Sequence, residues 1–99
     1  MSPRRGGAKL DTRRPARKPR VWLHQAPGEN ALYDPDSGTV LLLNDTALAI
    51  WDLCDGDNLP REMIDAICTL CGLHEDVVTE DVGRVLAELD RAGLLDWRD

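Results

Sequence analysis

Residues 39–56 have the sequence TVLLLNDTALAIWDLCDG, and the hydrophobic period changes within this stretch. The first five residues are apolar or β-branched, which is typical of a short strand. From Ala47 onward, apolar residues recur every three or four positions, which is the spacing of one helix face. Asn44 or Asp45 can cap this helix, and Gly56 can end it. The sequence therefore predicts a strand that leads directly into a helix.

Two turn signals precede this strand. The segment 34–38 combines Pro, which pre-sets φ, with Gly, which accepts positive φ, and Pro27-Gly28 marks an earlier turn. Short strands separated by such turns form an antiparallel meander. The predicted strands are residues 20–25, 31–33 and 39–43.

Two more helices are predicted after Gly56, and a short extended end follows them. Pro60 suits the first turn of a helix that ends at Gly72. The predicted helices cover about 46–55, 60–71 and 75–92, and the extended end covers 94–97. The predicted fold is an α+β, winged helix-turn-helix-like domain, in which an N-terminal three-stranded antiparallel sheet is followed by three helices.

The charge is divided sharply along the chain. Residues 1–20 carry eight Lys and Arg against one Asp, whereas residues 21–99 carry four Arg against 17 Asp and Glu. Residues 1–19 are rich in Arg, Pro and Gly and have few large apolar side chains, so we expect a disordered basic tail before a domain over 20–99. This tail either aids solubility or contacts an acidic partner or RNA.

The third predicted helix is acidic, with six carboxylates against two arginines over 75–92. Helices that enter the DNA major groove are usually basic, and an acidic surface repels phosphate, so nucleic-acid or anionic-membrane binding is disfavoured. No apolar run approaches the roughly 20 residues of a membrane span. No export signal is recognised, and three cysteines are an odd number. We therefore expect reduced thiols and a cytoplasmic location.

The cysteines offer one alternative function. The spacing of Cys68, Cys71 and His74, with Cys54 as a fourth ligand, resembles a zinc or redox site. However, Cys68 and Cys71 lie on the predicted apolar stripe of the second helix, where cysteine behaves as a small hydrophobic residue. The sequence also has no phosphate-binding loop, nucleophile elbow or paired acidic motif. We therefore expect no metal, no cofactor and no catalysis.

The third strand is apolar on both faces, although a surface strand usually alternates. If this strand lies at the sheet edge, its unpaired N–H and C=O groups need a cover. The first helix and the C-terminal end can provide one. Alternatively, a peptide binds there as an additional strand. The residues alone leave both possibilities open.

Three segments resemble the PqqD-like family: LLNDTA at 42–47, IWDLCDG at 50–56, and the apolar positions between Asp81 and Leu95. The resemblance covers residues 20–97. It implies a recognition element that binds the leader segment of a ribosomally synthesised precursor peptide. The element presents that leader to a modifying enzyme, often a radical SAM enzyme. A DNA-binding winged-helix regulator that uses the basic tail is the alternative.

The resemblance also implies a binding site. The leader would pair antiparallel with the third strand and lie against the third helix. Val85 and Leu89 would form pocket walls, Arg84 would bind a leader carboxylate, and Asp81 and Glu88 would bind a leader Lys or Arg. The candidate peptide-binding residues are Thr39, Val40, Leu41, Leu42, Leu43, Asp81, Arg84, Val85, Glu88 and Leu89.

Overall fold

A computed structural model of the chain describes residues 12–99. It has five strands and three helices in this part of the chain. The strands are β1 (Arg14–Arg17), β2 (Trp22–Ala26), β3 (Glu29–Asp34), β4 (Thr39–Leu43) and β5 (Leu95–Arg98). The helices are α1 (Asp45–Leu53), α2 (Pro60–Cys71) and α3 (Glu75–Arg91).

The predicted antiparallel meander is present as a three-stranded sheet in the order β2-β3-β4. Leu32 of β3 lies opposite Leu41 of β4, and Asn30 lies opposite Leu43. Leu32 and Leu43 are buried, so this face of the sheet packs on the helices. The α+β class, the three-stranded sheet and the three helices are therefore confirmed.

The β3–β4 turn is organised around the buried carboxylate of Asp34. This carboxylate accepts hydrogen bonds from the backbone N–H of Asp36 at 3.0 Å and from the Ser37 hydroxyl at 3.1 Å. Nε of Arg20 donates to the same group at 3.0 Å, and this hydrogen bond is the main cause that lowers the pKa of Asp34. Gly38 takes the positive φ that closes the turn.

The step from β4 into α1 is capped by Asn44. Its side-chain oxygen accepts a hydrogen bond from the N–H of Ala47 at 2.8 Å, which satisfies one of the free donors of the first helical turn. Asn44 rather than Asp45 is therefore the cap. The core beneath the sheet consists mainly of aliphatic side chains together with the ring of Trp51. Its fully buried members include Leu32, Ile50, Met63, Ile67, Val82 and Leu89.

The structure corrects the predicted N-terminal tail. The sequence predicts a domain that begins at residue 20, but Arg14–Arg17 form β1, which pairs antiparallel with β5. On its other side, the N–H of Arg17 donates to the carbonyl of Cys54 at 2.8 Å, and the N–H of Gly56 donates to the carbonyl of Pro15 at 2.9 Å. The expectation of disorder is therefore wrong for β1. Residues 1–11 of the predicted tail lie outside the described residues.

Arg17 stabilises the C-terminal end of α1. Its Nη1 donates to the carbonyls of Trp51 at 3.0 Å and Asp52 at 2.7 Å, and its guanidinium lies 6.0 Å from the centre of the Trp51 ring. The last carbonyls of a helix have no partner within the helix and carry partial negative charge, so a cation is favourable there. Part of the predicted basic tail thus has a structural role, which the count of charged residues did not indicate.

Replacing Arg17 with Ala should lower the free energy of unfolding by about 1–2 kcal/mol, because α1 loses charge-assisted hydrogen bonds at its C-terminal end. Urea unfolding followed by far-UV circular dichroism measures this change. The control is Arg61→Ala on the exposed surface of α2, for which we expect a change within about 0.5 kcal/mol. Equal effects of the two substitutions would contradict the assigned role of Arg17.

The turn carboxylate should make stability depend on pH. Because the pKa of Asp34 in the folded protein lies below its ordinary value of 3.8, its contribution is complete above that value and is lost as the pH falls through the folded pKa. Asp34→Asn should therefore lower stability at neutral pH and reduce the further loss on acidification to about pH 3. Urea midpoints at both pH values test this, with the exposed Asp65→Asn as the control.

Candidate functional site

The candidate site is the outer edge of β4. Within residues 12–99, β4 is paired with β3 and with no other strand. An edge strand presents a row of N–H and C=O groups that a further strand can bind. Natural edges are usually protected by charged residues or Pro, and the sequence TVLLL of β4 contains neither. The edge is therefore a suitable template for strand addition.

The side chains of β4 divide between the two faces of the sheet. Leu43 is buried and Leu41 is half-buried against the core. Val40 and Leu42 point outward and are 60% and 66% exposed. A strand added at this edge would alternate in the same way, because successive side chains lie on opposite faces. The strand that looked apolar on both faces thus has one face on the core and one in solvent.

Two aromatic side chains lie on the outward face and were not among the predicted site residues. Trp22 of β2 is opposite Tyr33 of β3, and the two rings meet edge-to-face with their centres 6.3 Å apart. Tyr33 is in turn opposite Val40 of β4. The turn signals give the approximate register of these strands. Counting alternate residues outward from each turn could therefore have placed Trp22, Tyr33 and Val40 on one face of the sheet.

The structure places the two predicted pocket walls of α3 inside the core. Val85 is 4% exposed and Leu89 is fully buried, so both belong to the core that also contains Leu43. They are packed inside that core and do not form open walls in this structure. An apolar stripe indicates which helix face is buried, but it does not distinguish a core residue from a groove residue.

The charged candidates lie on the surface of α3. Nη2 of Arg84 lies 3.1 Å from a carboxylate oxygen of Asp81, one turn earlier, and Glu88 is exposed. Helical spacing places Asp81 and Glu88 on one flank. The opposite flank includes Asp90, which accepts a hydrogen bond from the indole N–H of Trp97 in β5 at 2.8 Å. The charged candidates therefore lie on the flank of α3 that faces away from β5.

The cysteines have separate environments. Cys54 is buried, its thiol donates to the carbonyl of Ile50 at 3.2 Å, and burial raises its pKa to about 12. Cys68 is half-buried, and burial also raises its pKa. Cys71 is exposed, contrary to the predicted apolar stripe. In the described part of the chain, no group of three or more His, Cys, Asp or Glu is positioned to hold a metal ion.

The comparisons with known proteins agree with this geometry. The family model described as coenzyme PQQ synthesis protein D (PqqD) matches residues 29–95. The chain belongs to the PqqD family. The predicted resemblance is thus confirmed, and the matched residues of this PqqD-family chain begin at β3 and end at the start of β5. No curated protein matches the chain with significance.

Three solved structures share the fold of this PqqD-family chain. TbiB1 in complex with the TbiA(beta) leader peptide is 26% identical, with a TM-score of 0.69 over 82% of this chain and 94% of that one. Lasso peptide synthetase B1, complexed with the leader peptide, is 19% identical, with a TM-score of 0.71 over 84% and 98%.

The third is the PqqD truncation of Methylobacterium extorquens PqqCD, described as a functional, stand-alone recognition element for ribosomally synthesised and post-translationally modified peptides. It is 19% identical, with a TM-score of 0.70 over 91% of this chain and 97% of that one.

As a separate finding, none of the helices among residues 12–99 is long and apolar enough to cross a membrane.

The three thiols should react at different rates. Cys71 is exposed, whereas the Cys54 thiol is buried, hydrogen-bonded and protonated at neutral pH, and the thiolate is the reactive form. In the folded protein, iodoacetamide should label Cys71 first and leave Cys54 unlabelled, and urea should abolish the difference. Peptide mapping by mass spectrometry measures the labelling. Early labelling of Cys54 would contradict its placement in the core.

Proposed function

We propose that this chain recognises the leader segment of a ribosomally synthesised precursor peptide by adding that segment as a strand to β4. The observation that carries the proposal is the unprotected edge of β4 in a domain of the PqqD family. Two solved structures of the same fold are complexes with leader peptides, which supports the same class of ligand here.

In this complex the leader runs antiparallel to β4 from Thr39 to Leu43. Each main-chain hydrogen bond contributes about 0.5–1.5 kcal/mol net, so the pairing tolerates many leader sequences. A few such bonds and two or three apolar contacts give micromolar affinity, or roughly −8 kcal/mol. Side chains that point to the core side of the sheet then meet Leu41 and Leu43.

Charges on α3 add selectivity to the proposed complex. Asp81 and Glu88 bind a Lys or Arg of the leader, and Arg84 binds a leader carboxylate in exchange for its present partner Asp81. The described residues after Arg20 are strongly acidic, so the domain attracts a basic leader or a basic enzyme surface over a distance. Val85 and Leu89 contribute by holding the sheet and α3 in place from within the core.

The chain in this proposal has no catalytic residue and no cofactor, and acts in the cytoplasm. It presents the bound leader to a modifying enzyme, for which a radical SAM enzyme is our hypothesis. The description of the fold as winged helix-turn-helix-like is our interpretation of the order of its strands and helices. The acidic surface of α3 opposes the DNA-binding alternative, because a helix with six carboxylates and two arginines repels the phosphate backbone.

Backbone methylation of the ligand tests the strand addition. The probe is a synthetic peptide that the wild-type chain enriches from a library of random 12-residue peptides, prepared in two forms. One form is N-methylated at even positions over the paired segment, and the other at odd positions. In a two-stranded pairing only alternate N–H groups face the partner strand. One form should therefore lose affinity by roughly tenfold or more, whereas the other should bind nearly as the parent peptide does.

Fluorescence anisotropy of a labelled peptide measures both affinities, and the unmethylated peptide is the control. Hydrogen exchange on the protein should show slower exchange at β4 when the peptide is bound. Equal losses for the two methylated forms, or slower exchange confined to another element, would overturn strand addition at β4.

A further inference from the structure

Two cross-strand rows on the outward face of the sheet end at the open edge of β4. Residues that lie opposite each other in a sheet share one face, so the register defines these rows. They are Trp22–Tyr33–Val40 and His24–Ala31–Leu42. Val40 and Leu42 are their last members, and both are more than half exposed.

The rows contain no Asp, Glu, Lys or Arg. Isolated exposed apolar residues are ordinary, but here Trp22, Tyr33, Val40 and Leu42 are neighbours on one sheet face and all are exposed. An uncharged surface that ends at a strand edge is complementary to uncharged, apolar side chains on an added strand. It is not complementary to charged ones, which would lose hydration without gaining a partner.

We propose that Val40 and Leu42 determine which peptides β4 accepts. They select β-branched or aromatic side chains at alternate positions on the outward face of the added strand. This inference rests on the proposed function, since it is the added strand that extends each row by one residue. Directly opposed side chains lie within about 5.5 Å between Cβ atoms, which is close enough to pack.

The favoured occupant is a peptide and not a second copy of the chain. The chain has a net charge of −6, and pairing two copies edge to edge brings like charges together. A short peptide, neutral or basic, meets no such repulsion. The apolar part of peptide selectivity then has two independent components. One part is the contact of inward side chains with the core side of the sheet, and the other is the contact of outward side chains with Val40 and Leu42.

The outward contacts have a measurable size. Each cross-strand pair contributes about 0.2–1 kcal/mol, so two pairs together change affinity by roughly two- to thirtyfold. This effect is large enough to bias a selection from a peptide library. It is also small enough that main-chain pairing should persist when the outward contacts are removed.

The experiment is a selection from a phage-displayed library of random 12-residue peptides. The targets are the wild-type chain, the double variant Val40→Lys/Leu42→Lys, and the control Trp22→Lys. Trp22 lies on the same face but two strands away from the open edge. Circular dichroism checks the fold of each variant. If the double Lys variant does not fold, Val40→Thr/Leu42→Thr replaces it, because Thr retains strand propensity.

The wild-type chain and the Trp22 variant should both enrich β-branched or aromatic residues at alternate positions. The Lys double variant should enrich Asp or Glu at those positions, and the Thr double variant should lose the apolar preference. The same apolar preference in all targets would overturn the role of Val40 and Leu42 and leave peptide binding itself intact.

Two other results would count against the proposed function or against a peptide as the occupant of this face. Failure of the wild-type chain to enrich any peptide would count against the proposed function as well as this inference. A wild-type chain that elutes as a dimer, while the Lys double variant elutes as a monomer and wild-type selection yields no peptide, would assign the face to a second copy.

Discussion

The pairing of β3 with β4 is the interaction on which the arrangement depends. It is closed at one end by the buried Asp34 carboxylate and its partner Arg20, and at the other end Asn44 turns the chain directly into α1. Both ends of β4 are thus set by local hydrogen bonds, and the strand pairs on one side only. In the part of the chain that the structure describes, its outer main-chain groups pair with no other strand. The peptide-binding proposal follows from this one-sided pairing.

The N-terminal strand explains why the C-terminal end does not cover this edge. The sequence allowed the extended end after α3 to pack over the third strand, but β5 pairs with β1 instead. The strand β1 is held on its other side by the segment after α1, and Arg17 binds the last carbonyls of that helix. A basic segment that seemed independent of the domain therefore engages β5, the described strand nearest the C-terminus.

In the proposed complex, charge and apolar surface lie on two different parts of the site and have different roles. The α3 flank presents Asp81, Arg84 and Glu88 and suits long-range attraction and charge selection. The outward sheet face presents uncharged side chains and suits short-range packing. Because main-chain pairing is nearly independent of sequence, selectivity has to come from these side chains. In this proposal, the α3 flank selects by charge and the outward sheet face selects by packing.

Local patterns in the sequence predicted the three-stranded meander, the three helices, a strand-to-helix step at residues 44–45 and the family resemblance. These features depend on turn residues, caps and hydrophobic periods within contiguous segments. The strand Arg14–Arg17 could not be predicted in this way, because it depends on partners about eighty residues away and its sequence RPAR has no strand period. Burial of Val85 and Leu89 was likewise a tertiary result. A helical stripe shows which side chains avoid water, whereas the packing of other elements decides whether a ligand can still reach them.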